Sequence, residues 1–305
     1  MPRPFSFLNP RFLGPAPPVI HLPSLTRKWQ NIRSESGHSL TRLFAGSRQM
    51  NTPTKSHIET SRLLVGAASL YAVRLAQSAD DVRAAQVLRF EVFNVELNEG
   101  LAESFATGQD VDPFDAVCDH MIVQDRATGN VVGTYRLQTG CMAAANRGYY
   151  SEQEFCFSPY ERIRGQLIEL GRACVHRSHR NLAVLGLLWK GIADYACQRA
   201  GRYLCGCSSI TSLDPAVGAS AYSELCRKHL ARPEFRTRPQ PKYECPLAHL
   251  AEETPKIPKL LRAYLSVGAK ICGPPALDRE FKTIDFLTLV DLEALSPLAR
   301  ARFFG

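Results

Sequence analysis

A glutamate and an arginine interrupt an apolar stretch that is predicted to form a β-strand. Residues 167–175 read LIELGRACV, and Glu169 and Arg172 are the charged members. An unpaired charge inside a buried strand is costly, so both side chains need a partner or a function. Regular alternation would place them on opposite sides of a sheet. A β-bulge at Gly171 would bring them to one side and leave backbone N–H groups free beside them.

Glu169 and Arg172 are therefore predicted to be catalytic, with Glu169 as a general base. Backbone N–H groups at a bulge are suited to polarise a carbonyl group, which gives Gly171 a predicted role in binding an acyl donor. A purely structural salt bridge between the two side chains is the alternative interpretation.

A second charged group places Asp110, Asp112 and Asp115 within six residues, just before the next predicted strand. Neighbouring carboxylates repel one another unless cations lie beside them, and Arg89 and Arg136 are the candidate cations. Such a group would attract an ammonium, and a free arginine would bind a carboxylate as a fork. A solvated acidic loop is the alternative. The predicted residues for binding an amino acid are Arg89, Phe93, Asp112, Asp115 and Arg136.

A basic turn, HRSHRN at residues 176–181, leads into a long predicted helix. A helix N-terminus with arginines beside it can bind an anion, such as the phosphate of a pantetheine arm. Arg177, Arg180 and Asn181 are accordingly predicted to bind the donor. An ordinary solvated turn is the alternative.

The elements that must position these residues are a series of short strands and amphipathic helices. Their order predicts an α/β (α+β) domain: one mixed central β-sheet with helices on both faces. The predicted strands are 71–75, 120–125, 131–138, 167–175, 203–208, 269–272 and 284–290, and the predicted helices start after Ser78, Asn181, Asp214 and Pro258. A Pro-rich connection, 233–258, is expected to run over the surface.

The net charge of +8 is concentrated at the N-terminus. Residues 1–62 carry nine basic and two acidic residues, a net charge of +7, so residues 63–305 are almost neutral. Six prolines fall within residues 1–18, and no helical period follows them. Residues 1–70 are predicted to be a flexible or disordered basic extension, and residues 71–305 the folded domain. Either translation starts at Met50, or the segment is an organelle transit peptide.

Composition excludes several classes of function. Hydrophobic residues make up 45% and charged residues 22% of the chain, and no apolar run approaches the ~20 residues of a membrane span. The ten cysteines show no CxxC and no metal-ligand spacing with histidine, so reduced thiols and no metal are expected. Glycine-rich nucleotide loops are absent, and no cofactor is expected.

Several segments together resemble the ornithine–acyl carrier protein N-acyltransferases, over about residues 70–300. They are ELGRACVH at 169–176, LLWKGIADY at 187–195, DPA at 214–216 and GPPALDREFKTIDFLTL at 273–289. That family is similar to the acyl-homoserine lactone synthases and shares the GNAT fold. The shared charged and aromatic positions of those synthases fall on Arg89, Phe93, Asp112, Asp115, Arg136, Glu169 and Arg172. The GNAT pantetheine loop is altered, because Ala183 and Leu185 stand where glycines would be.

The resemblance implies transfer of a (3-hydroxy)acyl group from acyl carrier protein to the α-amino group of L-ornithine, which gives lyso-ornithine lipid. Aminolysis of a thioester needs no covalent enzyme intermediate, so Cys174 is not required as a nucleophile. Acyl carrier protein is acidic, and a basic run after residue 226 is expected to bind it. The predicted docking residues are Arg227, Lys228, Arg236, Arg238 and Lys242.

Two other hypotheses about the function are open. One is an acyl-homoserine lactone synthase that uses S-adenosylmethionine as acceptor, although the long C-terminal segment argues against it. The other is a non-catalytic binder of nucleic acid or an anionic surface through residues 1–62. If the chain is an ornithine N-acyltransferase, we expect a cytoplasmic enzyme without a nucleic-acid partner. The basic and aromatic residues 300–304 suit peripheral contact with the inner face of the cytoplasmic membrane.

Deletion of residues 1–62 is expected to leave folding and acyl transfer intact, because the segment lacks the periodicity of packed structure. Circular dichroism, thermal unfolding and an acyl-transfer assay of the truncated chain test this. Loss of either property would place the domain boundary nearer the N-terminus.

Overall fold

The computed structural model describes residues 70–304, so the predicted N-terminal extension and Met50 lie outside the described residues. Within this range one mixed sheet contains all the named strands, in the order β1-β2-β3-β4-β5-β8-β6, with β7 on β8. The strands are β1 Tyr71–Leu75, β2 Asp119–Asp125, β3 Val131–Thr139, β4 Leu167–Val175, β5 Tyr203–Thr211, β6 Lys270–Ile271, β7 Ala276–Asp278 and β8 Thr283–Asp291. The predicted α/β class with a mixed central sheet is confirmed.

Helices cover both faces of the sheet, and most start where the sequence predicted. They are α1 Ala79–Arg89, α2 Ser104–Thr107, α3 Gly140–Ala145, α4 Leu182–Gln198, α5 Pro215–His229, α6 Lys259–Ser266 and α7 Pro297–Phe304. The Ser78 side chain caps α1, Asn181 caps α4 and Asp214 caps α5, because each accepts a backbone N–H of the first turn. Helix α1 continues as a π-helical segment, Phe90–Glu96.

The alternation of β3 separates the two sides of the sheet. Tyr135 and Leu137 belong to the main hydrophobic core with Leu188 and Ile192 of α4. Arg136, between them, points to the opposite face, where its guanidinium contacts carboxylates. Helix α1 lies on that second face, where its Leu88 packs with Val92 of the π-helical segment and with Cys174. One face is therefore apolar under α4, and the other carries the charged residues.

A β-bulge occurs in β4. Its pairing with β3 advances by two residues on β3, from Thr134 to Arg136, but by three on β4, between Cys174 and Gly171. Arg172 occupies the extra position with a φ of 49°, in the left-handed region that side chains other than glycine adopt at a cost. The bulge was expected at Gly171 and is centred one residue later.

Strand β4 diverges from β5 after three paired residues, Leu167–Glu169 with Tyr203–Cys205. Gly206 lies at the point of divergence, and a Cβ atom there would overlap the carbonyl oxygen of Leu170. The edge of β4 from residue 170 onward therefore faces a cleft instead of a neighbouring strand.

The C-terminal third differs most from the sequence-based prediction. The strand expected at 269–272 is only Lys270–Ile271, and β7 was not predicted. The Pro-rich connection 233–258 is attached to the body, because Gln240 N–H donates to Glu154 O (2.7 Å) and Thr237 N–H to Cys272 O (2.8 Å). None of the helices between residues 70 and 304 is long and apolar enough to cross a membrane.

Gly206→Ala is expected to destabilise the protein by about 1–3 kcal/mol, because the added methyl group forces two backbones apart. Gly186→Ala is the control: this glycine is exposed on α4 with open space around it. The control should gain about 0.5–1 kcal/mol from helix propensity. Urea denaturation of both variants measures the difference, and equal stabilities would contradict the close approach at Gly206.

Candidate active site

The cleft between β4 and β5 opens into a cavity of about 330 Å³. One part of its wall is apolar and aromatic, and another part is rich in carboxylates. The apolar wall includes Ala173, Trp189, Leu204, Leu261, Tyr264 and Val290. Predominantly apolar cavities with a few convergent polar groups are the usual form of a small-molecule site.

Glu169 is the last residue of β4 that pairs with β5. Its side chain lines the cavity and is 5% exposed. Its two carboxylate oxygens accept the backbone N–H groups of Tyr150 and Ser151, both at 2.7 Å. Burial raises the pKa of Glu169, while the two N–H groups and the charge of Arg136 oppose the rise. A fixed, desolvated carboxylate with a raised pKa is suited to accept a proton near neutral pH.

Arg172 lies on the same face of the sheet as Glu169, as the bulge requires. Its guanidinium stacks over the rings of Phe281 (4.3 Å) and Tyr150 (5.5 Å). Its ion-pair partners are Asp112 (3.2 Å) and Asp110 (3.8 Å), and Glu169 is not among them. The alternative of a Glu169–Arg172 salt bridge is therefore wrong, and it is Arg136 whose charge acts on Glu169.

Three arginines and three aspartates form one buried ionic network. Arg89, which is fully buried, binds both oxygens of Asp115 at 2.9 and 2.7 Å. Arg136 binds Asp112 at 2.6 Å and Asp115 at 3.0 Å. Burial alone would raise the pKa of Asp112 and Asp115, but the guanidinium groups outweigh it, and both pKa values are lowered.

The network changes how the predicted substrate residues are interpreted. Phe93, Arg136 and Arg172 line the cavity, whereas Arg89, Asp112 and Asp115 do not. The solvated-loop alternative does not hold, because Asp112 and Asp115 are tied to guanidinium groups. The aspartates hold Arg136 and Arg172 in position on the cavity wall. Arg172 Nε is buried without a hydrogen-bond partner among residues 70–304.

The predicted donor-binding turn lies at the N-terminus of α4. Asn181 Oδ1 accepts the N–H groups of Ala183 and Val184, both at 3.0 Å. Arg180 makes two hydrogen bonds to Glu96, and Arg177 is exposed. Of the predicted donor-binding residues, only Gly171 lines the cavity. Asn181 thus caps the helix, and Arg180 links the turn to the end of the π-helical segment that continues α1.

Sequence reasoning missed a cluster of three buried carboxylates on the cavity wall. Glu154, Asp278 and Asp285 are 2%, 3% and 3% exposed, and their oxygens lie within 4.8 Å of one another. Such a group can hold a cation, a metal ion included. The sequence signal for this cluster was an acidic residue, Asp285, within the apolar run 284–290. Its two partners could not be identified from the sequence, because Glu154 is distant in the chain and Asp278 lies across a turn.

Cys174 is buried under α1, outside the cavity lining. Burial raises the pKa of its thiol to about 12, so the thiolate is scarcely populated at neutral pH. A nucleophilic role for Cys174 does not fit this position.

The five predicted docking residues are exposed. Arg227 and Lys228 are in the last turn of α5. Arg236, Arg238 and Lys242 follow in the connection that contacts the Glu154 segment. These residues lie outside the cavity lining, and we refer to them as the basic connection surface.

Comparison with known proteins agrees with the fold. A GNAT acetyltransferase domain model matches residues 88–190. The chain is 32% identical to the L-ornithine N(alpha)-acyltransferase of Rhodobacter capsulatus, over 74% of this chain and 92% of that protein. It is 31% identical to the protein of that name from Agrobacterium fabrum, over 80% and 89%.

Among solved structures, the chain is similar to a CoA-dependent acyl-homoserine lactone synthase, with 15% identity, a TM-score of 0.45, and coverage of 75% of this chain and 85% of that one. The relatives in sequence are matched over nearly their whole length and above 30% identity. The chain belongs to the L-ornithine N(alpha)-acyltransferase family.

Proposed function

We propose that this protein transfers a (3-hydroxy)acyl group from the thioester of acyl carrier protein to the α-amino group of L-ornithine, forming lyso-ornithine lipid. The observation that carries the proposal is Glu169, a buried carboxylate fixed by two backbone N–H groups at the apex of the β4–β5 cleft. Transfer to an amine requires a group in such a position, because the α-ammonium must lose a proton before it attacks.

In the proposed reaction, Glu169 takes the proton from the acceptor's α-ammonium, and the free amine attacks the thioester carbonyl. The C–N bond forms and the C–S bond breaks. The second proton that the nitrogen loses passes to the departing thiolate, and Glu169 releases the first proton to solvent. Backbone N–H groups of β4 beyond Leu170 are not paired with β5, so they are available to stabilise the oxyanion. Each oxyanion donor of this kind contributes about 3–4 kcal/mol in comparable sites.

The cavity wall supports a division of roles between the two substrates. Arg136 and Arg172 line the cavity, and a guanidinium there can bind the acceptor's carboxylate. The apolar wall around Trp189 and Tyr264, whose rings meet edge to face at 5.4 Å, suits the acyl chain. The proposal includes three further points. The donor's phosphate binds at the α4 N-terminus, near Arg177 and Arg180.

The enzyme is cytoplasmic, and residues 300–304 contact the membrane. Residues 1–70 form an extension separate from the acyltransferase domain.

The activity is tested by incubating the protein with 3-hydroxyacyl-loaded acyl carrier protein and a panel of acceptors, S-adenosylmethionine included. Mass spectrometry should detect N-acylated ornithine as the main product. An acylated lactone from S-adenosylmethionine, or no product from any amino acid, would contradict the proposal.

Glu169→Gln is expected to lower turnover by about 10²–10⁴-fold, because it keeps the shape of the side chain but removes the base. Since the wild-type base acts in its ionised form and its pKa is raised, activity should fall as the pH drops through that raised value. The variant should lack this acidic limb in its pH–rate profile. An unchanged profile would assign the base to another residue, and an unfolded variant would indicate a structural role.

Charge reversal on the basic connection surface is expected to weaken donor binding. Arg236→Glu/Arg238→Glu should raise KM for acyl carrier protein by about tenfold at low salt and less at high salt, because salt screens exposed charges. The matched control is Arg83→Glu/Lys190→Glu, two exposed residues on α1 and α4. Equal effects of the two double variants would attribute the loss to net charge and not to a docking surface.

A further inference from the structure

The cluster of Glu154, Asp278 and Asp285 forms no ion pair with a basic residue among the described side chains. Arg172 is the arginine whose charge acts on Glu154, but it is paired with Asp110 and Asp112. The ionic network around Arg89 differs in this respect, since each of its aspartates is paired. Burying unpaired carboxylates is expensive, so the cluster is incomplete without a cation or bound protons.

The hydrogen bonds inside the cluster leave acceptor capacity unused. Asp278 Oδ1 accepts two backbone N–H groups, from Glu280 (2.8 Å) and Phe281 (3.0 Å). Asp285 Oδ2 accepts the hydroxyl of Thr283 at 2.9 Å. The other oxygen, Asp285 Oδ1, is buried on the cavity wall and has no hydrogen-bond partner among the described residues.

The electrostatics agree with a missing cation. Burial, followed by the charges of Asp285 and Asp278, raises the pKa of Glu154 well above its ordinary value. Burial also raises the pKa of Asp285 to about 6, the charge of Asp278 adds to the rise, and the hydrogen bond from Thr283 opposes it. A cation in the cluster would reverse these shifts by favouring the ionised forms.

The cluster is adjacent to both groups that are proposed to hold the acceptor. Glu154 follows the turn Tyr150–Gln153, whose first N–H groups bind Glu169. Phe281 donates its N–H to Asp278 and places its ring against the guanidinium of Arg172. An amino acid with its α-amino group at Glu169 and its carboxylate at Arg172 would therefore have its side chain within reach of the cluster.

We propose that Glu154, Asp278 and Asp285 bind the side-chain ammonium of the acceptor and thereby select a diamino acid. This inference rests on the proposed function, in which the acceptor is L-ornithine. An ammonium offers three N–H donors, which matches three convergent carboxylates. A divalent metal ion, with water completing its coordination, is the competing occupant, and the experiments below distinguish the two.

The test compares L-ornithine with L-norvaline, which has the same carbon chain without the side-chain amine. Wild-type enzyme should favour ornithine, because norvaline leaves the buried carboxylates unpaired. Glu154→Gln and Asp285→Asn should lower the ornithine-to-norvaline ratio of kcat/KM by about 10²-fold, the effect of breaking a buried charged contact. The control is Asp291→Asn, a carboxylate of the same strand β8 that pairs with Arg202 outside the cavity. It should leave the ratio unchanged.

A binding measurement separates this inference from the proposed function. L-ornithine, but not L-norvaline, should raise the melting temperature of the wild-type protein, and Asp285→Asn should abolish the difference. Selective stabilisation without turnover would support the subsite and contradict the transfer reaction. Equal losses with both acceptors in the variants would overturn the inference. So would loss of ornithine binding on treatment with EDTA and its recovery with Mg²⁺ or Mn²⁺, which would make the cluster a metal site.

Discussion

The loss of pairing between β4 and β5 after Glu169 is the constraint on which the site depends. A continuous sheet would satisfy every backbone group of both strands and would leave no room for a substrate. Gly206 allows β5 to approach Leu170 at the last point of contact, and from there the strands separate. The cleft between them supplies the cavity, the unpaired edge of β4 and the buried position of Glu169.

The bulge at Arg172 lies beside this cleft and determines on which face of the sheet the guanidinium group is found. Regular alternation would direct Arg172 into the apolar core under α4, where no carboxylate could meet it. The extra residue turns it to the face of Glu169, and its left-handed backbone is held by aromatic stacking and two aspartates. Strain of this kind persists only where the surroundings fix it, and it concentrates at functional sites.

The two groups of buried carboxylates on the charged face of the sheet differ in how their negative charge is balanced. Asp112 and Asp115 are neutralised by Arg89 and Arg136, which gives a rigid support whose charges balance within the protein. Glu154 and Asp285 have no such partner among residues 70–304, and their raised pKa values express the cost. The first group holds the site together in the absence of substrate. The second group gains its counter-charge only when a cationic ligand arrives, which links stability to substrate selection.

The sequence by itself determined the strands and helices around the motifs, because alternation, capping residues and turn signals act over a few neighbours. It also identified Glu169, Arg172 and the Arg–Asp network, since charges inside or beside apolar runs demand partners. It did not determine which of these residues reach the cavity, because that depends on how α1, β3 and the loop before β2 pack together. Arg136 lines the cavity, whereas Arg89 and Asp115 do not. The Glu154–Asp278–Asp285 cluster was decided by the tertiary structure alone. Its members come from a turn and two antiparallel strands, and only the pairing of β7 with β8 and the folding of that turn against β5 bring their oxygens together.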